Sequence, residues 1–263
     1  MPGCLAAAIA SGAAEIVVVD DDSSDATAAI AADIAGWPTG GARRVRVVSL
    51  DPLPVNSRWA GKNRACWHGA QLASQPWLLF LDADTRLLPG GLTRAFHFAG
   101  REGLAALSLS PEQECGSWAE AAVVPLVFTL LARRFPLDSA TAPQGRGQEQ
   151  AAANGQFFLF QREAYFAVGG HAAVAPEWLE DVALARRLRA CGARFAFLSG
   201  DGCVRTRMYR GLTGVWRGWA KNAVPLFGPP LAWPPSPAAR TLLVPWALAA
   251  AGAGLALQRR FWA

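Results

Sequence analysis

Two aspartates, Asp82 and Asp84, stand one residue apart at the end of the apolar run Trp77-Leu78-Leu79-Phe80-Leu81. Side chains alternate along a strand, so residues two apart lean to one side. Carboxylates held together in this way repel unless a cation lies between them. Mg²⁺ or Mn²⁺ suits a few carboxylates combined with diphosphate oxygens. A D-x-D at a strand end therefore points to a metal-bridged diphosphate leaving group, with a solvated acid pair as the plain alternative.

Three other constellations carry chemistry. Val17-Val18-Val19 runs into Asp20-Asp21-Asp22, followed by Ser23-Ser24-Asp25. Helix capping by Ser24 or Asp25 accounts for one of these residues, not for a run of acids. A carboxylate there can accept from a base N–H or a ribose hydroxyl. Lys62, in Gly61-Lys62-Asn63, opens a helix against the macrodipole. It either reaches an anion or carboxylate, or is solvated. Glu180-Asp181 begin another helix, where acids complement the dipole or one serves as a general base toward a hydroxyl nucleophile.

Arg205–Asn222 holds five basic residues, three aromatics and no acid. That composition fits a nucleic-acid module or a membrane-surface segment with phosphate-binding arginines. The apolar tail that follows favours the membrane, and no nucleic-acid partner is expected.

Strands must position these groups. Glu15–Asp20, Val45–Leu50 and Trp77–Asp82 read as buried strands, with weaker ones at Leu104–Ser110, Gln156–Gln161 and Arg194–Leu198. Helical stretches fall near 24–35, 60–74, 89–99 and 180–191. Continuous apolar strands alternating with helices predict an α/β sheet covered on both faces, with ligands at the carboxyl ends of its strands.

The chain has 263 residues, 52% hydrophobic and 17% charged, which excludes intrinsic disorder. Its apolar residues are mostly scattered, which argues against a polytopic membrane protein. The net charge of +5 suits phosphate-bearing or anionic partners. Five cysteines form no C-x-x-C pair, as expected of reduced thiols in a cytoplasm. The first residues lack the charged and apolar regions of a signal peptide. Residues 119–132 are mostly apolar, contain Pro125 and precede Arg133-Arg134, a pattern of a core helix or an interfacial one, with the arginines favouring the interface. Ala223–Pro237 carries six prolines, and Thr241–Leu257 then runs 17 residues without a charge. As a helix the latter would span roughly 25 Å, short of a hydrocarbon core of about 30 Å. Residues 1–222 are expected to form the catalytic domain, and 223–263 a proline-rich connector with a membrane-associated tail.

The ordered motifs VVDDDSSDAT, GKNRACWHGA, LLFLDADT, ANGQFFLFQREAYFAVGGH, LEDVALARRL and RMYRGLTGVWRGWAKN resemble family 2 glycosyltransferases. Within that family they are similar to a membrane-associated subgroup that includes hopanoid-associated and carotenoid glycosyltransferases. The resemblance implies a GT-A fold with a mixed, mostly parallel sheet flanked by helices. It implies that Asp20 and Asp21 contact the nucleotide, with Lys62 beside that pocket. Asp82 would face ribose or metal, and Asp84 would ligate Mg²⁺ or Mn²⁺. Gly155 and Gln156 would border the acceptor, as would Arg217 and Trp219 in a variant of the family's Q-x-x-R-W segment. Asp181, with Glu180 beside it, would be the base of an inverting transfer. The family's first strand has no counterpart here: Pro2–Ser11 already looks like the following helix. A mis-assigned start or a fragment is the expected reason.

Together these readings predict an enzyme moving a sugar from a nucleotide donor, UDP-linked, to a hydroxyl of a lipid-like or polyprenoid acceptor at the cytoplasmic face of a membrane. The rivals are a metal-dependent nucleotidyltransferase and a non-catalytic remnant that only binds membrane or partners.

Overall fold

A computed structural model of the chain describes residues 1–36, 44–134, 137, 151–216 and 218. In chain order the elements begin with helix Pro2–Ala10 (α1), strand Glu15–Asp20 (β1), helix Thr27–Ala35 (α2) and strand Arg44–Ser49 (β2). Helix Asn63–Leu72 (α3), strands Trp77–Leu81 (β3) and Thr85–Leu87 (β4), and helix Gly91–Arg101 (α4) follow. Next come strands Ala106–Ser110 (β5) and Glu112–Gln113 (β6) and helix Trp118–Arg134 (α5). Strand Phe157–Gln161 (β7), helices Arg162–Ala167 (α6) and Glu180–Ala190 (α7), and strands Phe195–Ser199 (β8) and Val204–Thr206 (β9) complete the order.

The chain divides into two units. The first holds Met1–Glu114 and Val127–Met208. Its strands form three sheets: β1-β2, β3-β7-β5-β8 and β4-β9-β6. β1 pairs with β2 in parallel, Val18 opposite Val47. β7 lies between β3 and β5, antiparallel to both, and β8 extends the sheet in parallel with β5. The α/β architecture with mixed strand directions and flanking helices is as expected, but among the described residues the strands form three sheets and are not mostly parallel. Among the described residues three strand pairings are parallel and three antiparallel. β7 causes much of this, because it hydrogen-bonds both neighbours while running against them.

β7 also shows why its sequence is apolar throughout. Phe158 and Phe160 enter one core with Leu78, Tyr165, Leu184 and Phe195. Phe157 and Leu159 enter the other, with Ala95, Leu107, Leu109 and Val204. A strand buried on both faces needs no polar alternation.

Among the described residues β1 and β3 share no pairing: β1 bonds only to β2, and β3 only to β7. Two helices reach both sheets. Leu5 of α1 packs with Ile16 and Val18, while Ala7 packs in the cluster that includes Leu79 and Leu81. Gly69 of α3 faces Val19, and Ala70 packs with Leu78. The two strands start at a common end, where Glu15 Oε2 accepts from Ser74 N–H at 2.7 Å and Ser74 Oγ–H at 3.0 Å. They also finish at a common end, where the first turn of α3 meets Asp21 and Asp82. Among the described residues each strand therefore keeps one edge unpaired, and residues 2–10 are helical, as their sequence suggested.

The second unit contains Cys115–Leu126 and the residues from Tyr209 onward. Its anchor is the buried Glu120, whose carboxylate accepts from Gly116 N–H at 2.7 Å, Ser117 Oγ–H at 2.8 Å and Gly211 N–H at 2.7 Å. Residues 211–216 are helical. α5 buries Ala119, Val124 and Val127 and exposes Ala121, Ala122 and Pro125. No helix among the described residues is long and apolar enough to cross a membrane. The connector at 223–237 and the apolar segment at 241–257 lie outside the described residues.

Candidate active site

The carboxyl end of β1 delivers Asp20 and Asp21. Asp20 is 7% exposed, and its Oδ1 is buried without a hydrogen-bond partner. A buried carboxylate oxygen left unpaired costs free energy and is an acceptor poised for an N–H or O–H donor. Asp21 is engaged: Arg64 Nε donates to its Oδ1 at 2.9 Å. Arg64 also donates to Asp51 O at 2.6 Å, tying the loop after β2 to the same helix start. Asp22 turns the chain with φ 61°, and Asp25 Oδ1 accepts from Thr27 N–H at 2.9 Å as α2 begins.

The centre of the site is Lys62. Its ammonium is ion-paired with Asp82, lies 3.4 Å from Glu180 Oε1 and donates to Gly155 O at 3.3 Å. Burial works against its charge, but the Asp82 and Glu180 carboxylates outweigh that and hold it protonated above the ordinary lysine range. The sequence placed Lys62 beside a nucleotide pocket; the structure makes it the bridge between the β3 end and the α7 start. Asp82 accordingly faces Lys62. Asp84 lies just beyond, with Thr85 Oγ–H donating to it at 3.2 Å. Burial and the neighbouring Asp82 push the Asp84 carboxyl above its usual range. A site that penalises negative charge in this way favours an added cation.

α7 presents Glu180 and Asp181 in its first turn. Asp181 Oδ2 accepts from Gly155 N–H at 2.9 Å, and its Oδ1 from Val182 N–H at 2.8 Å. Burial nevertheless raises its pKa, against the pull of those bonds. Glu180 is raised to about 7, first by burial and then by Asp181, with Lys62 opposing. Gly155 is close-fitted: a Cβ there would lie 3.1 Å from both Glu180 Oε1 and Lys62 Nζ. Gln156 is turned elsewhere. Its side chain meets Asn154 at 3.3 Å and Thr206 at 3.4 Å, so Gly155 alone of that pair faces the acids. The cause is a local turn, in which Asn154 Oδ1 accepts from Gln156 N–H at 2.9 Å. Arg217 and Trp219 lie outside the described residues.

Asn63 and Arg64 escaped the sequence reading. Asn63 is 1% exposed and donates to Val174 O, Ala175 O and Glu177 O, fixing the loop that leads into α7. The signal was present in the run Gly-Lys-Asn-Arg: polar residues crowding one helix start. Arg205, the first residue of the basic segment, pairs with Glu112 at 2.7 Å and Glu114 at 3.5 Å. Among the described residues no group of three or more His, Cys, Asp or Glu side chains is arranged to hold a metal by itself.

Carboxylates at the ends of two strands, a bridging lysine and an acidic helix start define a class: α/β transferases of the GT-A-like kind. The sequence model described as Glycosyl transferase family 2 matches residues 1–169. The chain belongs to that family. It is 27% identical over 213 residues to the 4,4'-diaponeurosporenoate glycosyltransferase of Staphylococcus aureus strain MRSA252, covering 79% of this chain and 52% of that protein. The chain thus spans about half the length of the curated relatives it matches. Its fold is similar to that of S. aureus TarS 1–349 in complex with UDP-GlcNAc, with TM-score 0.54, 16% identity and coverage of 84% of this chain and 62% of that one. The same TarS segment in complex with UDP gives TM-score 0.52 at 16% identity, with coverage of 84% and 61%.

Proposed function

We propose that this protein transfers a sugar from a nucleotide-diphosphate donor, UDP-linked, to a hydroxyl of a lipid-like acceptor, with inversion at the anomeric carbon. One observation carries the reading: Lys62 joins Asp82 at the end of β3 to Glu180 at the start of α7. Groups suited to a diphosphate and groups suited to a hydroxyl nucleophile thereby converge on one ammonium.

Asp20 Oδ1 receives an N–H of the base, which satisfies its buried, unpaired oxygen. Asp84 and Asp82 are the residues that would hold Mg²⁺ or Mn²⁺ together with diphosphate oxygens; the ion supplies charge neutralisation at the leaving group. Lys62 adds a second positive charge there. Asp181 is oriented by two backbone N–H groups and keeps lone pairs free on each oxygen. It takes the proton of the acceptor hydroxyl as that oxygen bonds to the anomeric carbon and the carbon–oxygen bond to the diphosphate breaks. Support for an apolar acceptor comes from the carotenoid glycosyltransferase relatives and from the uncharged run 241–257, proposed to insert into a membrane or lie in its interface with the catalytic domain on the cytoplasmic face.

Titration of the purified chain with UDP in the presence of Mn²⁺ tests the donor site. Saturable binding that weakens in Asp20→Ala supports the assignment; no binding by the wild-type chain refutes it and leaves a non-catalytic remnant.

A further inference from the structure

We infer that the exposed face of the first two turns of α5, led by Trp118 and joined by Leu212 and Arg210 of the same unit, docks on an anionic phospholipid surface. The inference deepens the membrane part of the proposed function and does not depend on the transfer chemistry. It begins with charge. The second unit, Cys115–Leu126 with Tyr209–Ala263, contains six Lys and Arg and a single acid, Glu120. It therefore carries the whole of the chain's +5, and the first unit is neutral overall. Glu120 is only 1% exposed, so no acidic side chain of this unit faces solvent. Six of the chain's eleven tryptophans also belong to it.

α5 reverses the usual order of a surface helix, burying its acid and displaying its tryptophan. Trp118, Ala121, Ala122 and Pro125 are all exposed. Their spacing of i, i+3, i+4 and i+7 puts them on one helical face. Ala119, Glu120 and Val124 are the buried residues of the same turns. Trp118 is 78% exposed, more than any other aromatic residue described. Glu120 then brings in a second apolar group. Its Oε1 accepts from Ser117 Oγ–H at 2.8 Å and from Gly211 N–H at 2.7 Å. Each of those donors is followed by an exposed apolar side chain, Trp118 after Ser117 and Leu212, 48% exposed, after Gly211. Arg210, the residue before Gly211, is exposed as well.

An indole suits the boundary between headgroups and acyl chains, where its ring is apolar-solvated and its N–H still finds an acceptor. Exposed apolar anchors, an excess of bases and no exposed acid are together complementary to an anionic leaflet. The same charge would attract a nucleic acid, but Leu212 and an uncharged helical face offer its phosphates nothing. Lipid is the occupant that uses both the charge and the apolar groups.

The test is flotation of the full chain with vesicles of phosphatidylcholine, alone or mixed with phosphatidylglycerol. The mixed vesicles should bind more tightly. Trp118→Glu with Leu212→Glu should weaken that binding on the order of tenfold or more. Ala29→Glu with Ala32→Glu, exposed on α2 of the first unit, adds the same charge and should leave it unchanged. Circular dichroism, Tm and UDP binding with Mn²⁺ should be those of the wild type in both variants, so docking is read apart from the donor site. Hydrogen exchange of the unaltered chain gives a reading that needs no variant: the amides of Ala121 and Ala122 should slow on mixed vesicles. Equal binding to both vesicle types, unweakened binding by the Trp118 and Leu212 variant, equal weakening by the α2 variant, or unchanged exchange would each overturn the assignment. So would a wild-type dimer that the Trp118 and Leu212 variant disperses without vesicles, or an RNA oligonucleotide whose binding that variant abolishes while vesicle binding stays.

Discussion

Lys62 Nζ lies 3.4 Å from Glu180 Oε1 while the same ammonium is ion-paired with Asp82. One side chain at the start of α3 therefore ties the end of β3 to the start of α7 and favours the ionised form of Glu180. Replacing Lys62 with Met removes the cation that pulls both the Asp181 and the Glu180 carboxyls down against burial. An opposite charge favours a carboxylate's ionised form, so its loss raises the Glu180 pKa above about 7. The acid limb of the transfer rate against pH should move to higher pH in Lys62→Met and return toward wild type in Lys62→Arg. An unmoved limb would separate the Asp181–Glu180 pair from the rate.

Asp84→Asn keeps the shape of the D-x-D while deleting a formal charge. Transfer at low Mn²⁺ should fall by on the order of 10²-fold or more, about 2.7 kcal/mol of lost transition-state stabilisation. Steady-state rates at several Mn²⁺ concentrations check this, and near-normal turnover at the lowest would remove Asp84 from the metal site.

His171 gives an acid sensitivity with a defined sign. It is 3% exposed, packs at a tilt against Phe80 at 4.7 Å between centroids, and meets Tyr165 Oη through Nδ1 at 2.9 Å. Burial, with Lys62 adding to it, lowers its pKa from 6.5 to about 3. Between those values the unfolded chain binds the extra proton, so stability falls as pH drops below 6.5, by up to about 1.4 kcal/mol per unit from this group. Urea unfolding at stepped pH should show that slope, flattened in His171→Phe. An identical slope in the variant would place the acid sensitivity elsewhere.

The unpaired edges of β1 and β3 predict that an extended apolar peptide can add between them, since unpaired strand edges template further pairing. A valine- and isoleucine-rich hexapeptide in excess should raise Tm by several degrees, given roughly 2–4 °C per kcal/mol at this size. A proline-substituted version should do nothing. Equal effects of both peptides would mean the edges are closed to pairing.

Much of this was legible in the sequence, because burial on both faces writes itself as continuous apolar residues. Glu15–Asp20 and Trp77–Leu81 are strands at nearly the residues read, and α7 opens at Glu180 as expected. β6 has two residues and β4 and β9 three each, too short to show a period. The antiparallel entry of β7 between β3 and β5 rests on partners far away along the chain, which no local pattern encodes. Lys62 was legible as a lysine against a helix dipole, but its choice of Asp82 and Glu180 is tertiary. Asn63 and Arg64 were given no role from the sequence, because three carbonyls and Asp21 become their partners only on folding.

The reaction itself is tested most directly with a radiolabelled UDP-sugar and a bacterial lipid extract, comparing the wild-type chain with Asp181→Asn and Glu180→Gln. Label should pass to the organic phase with wild type. It should fall by about 10²–10⁴-fold in Asp181→Asn, while that variant still binds UDP with Mn²⁺. Undiminished transfer by Asp181→Asn, or loss confined to Glu180→Gln, would contradict Asp181 as the base that accepts the acceptor's proton.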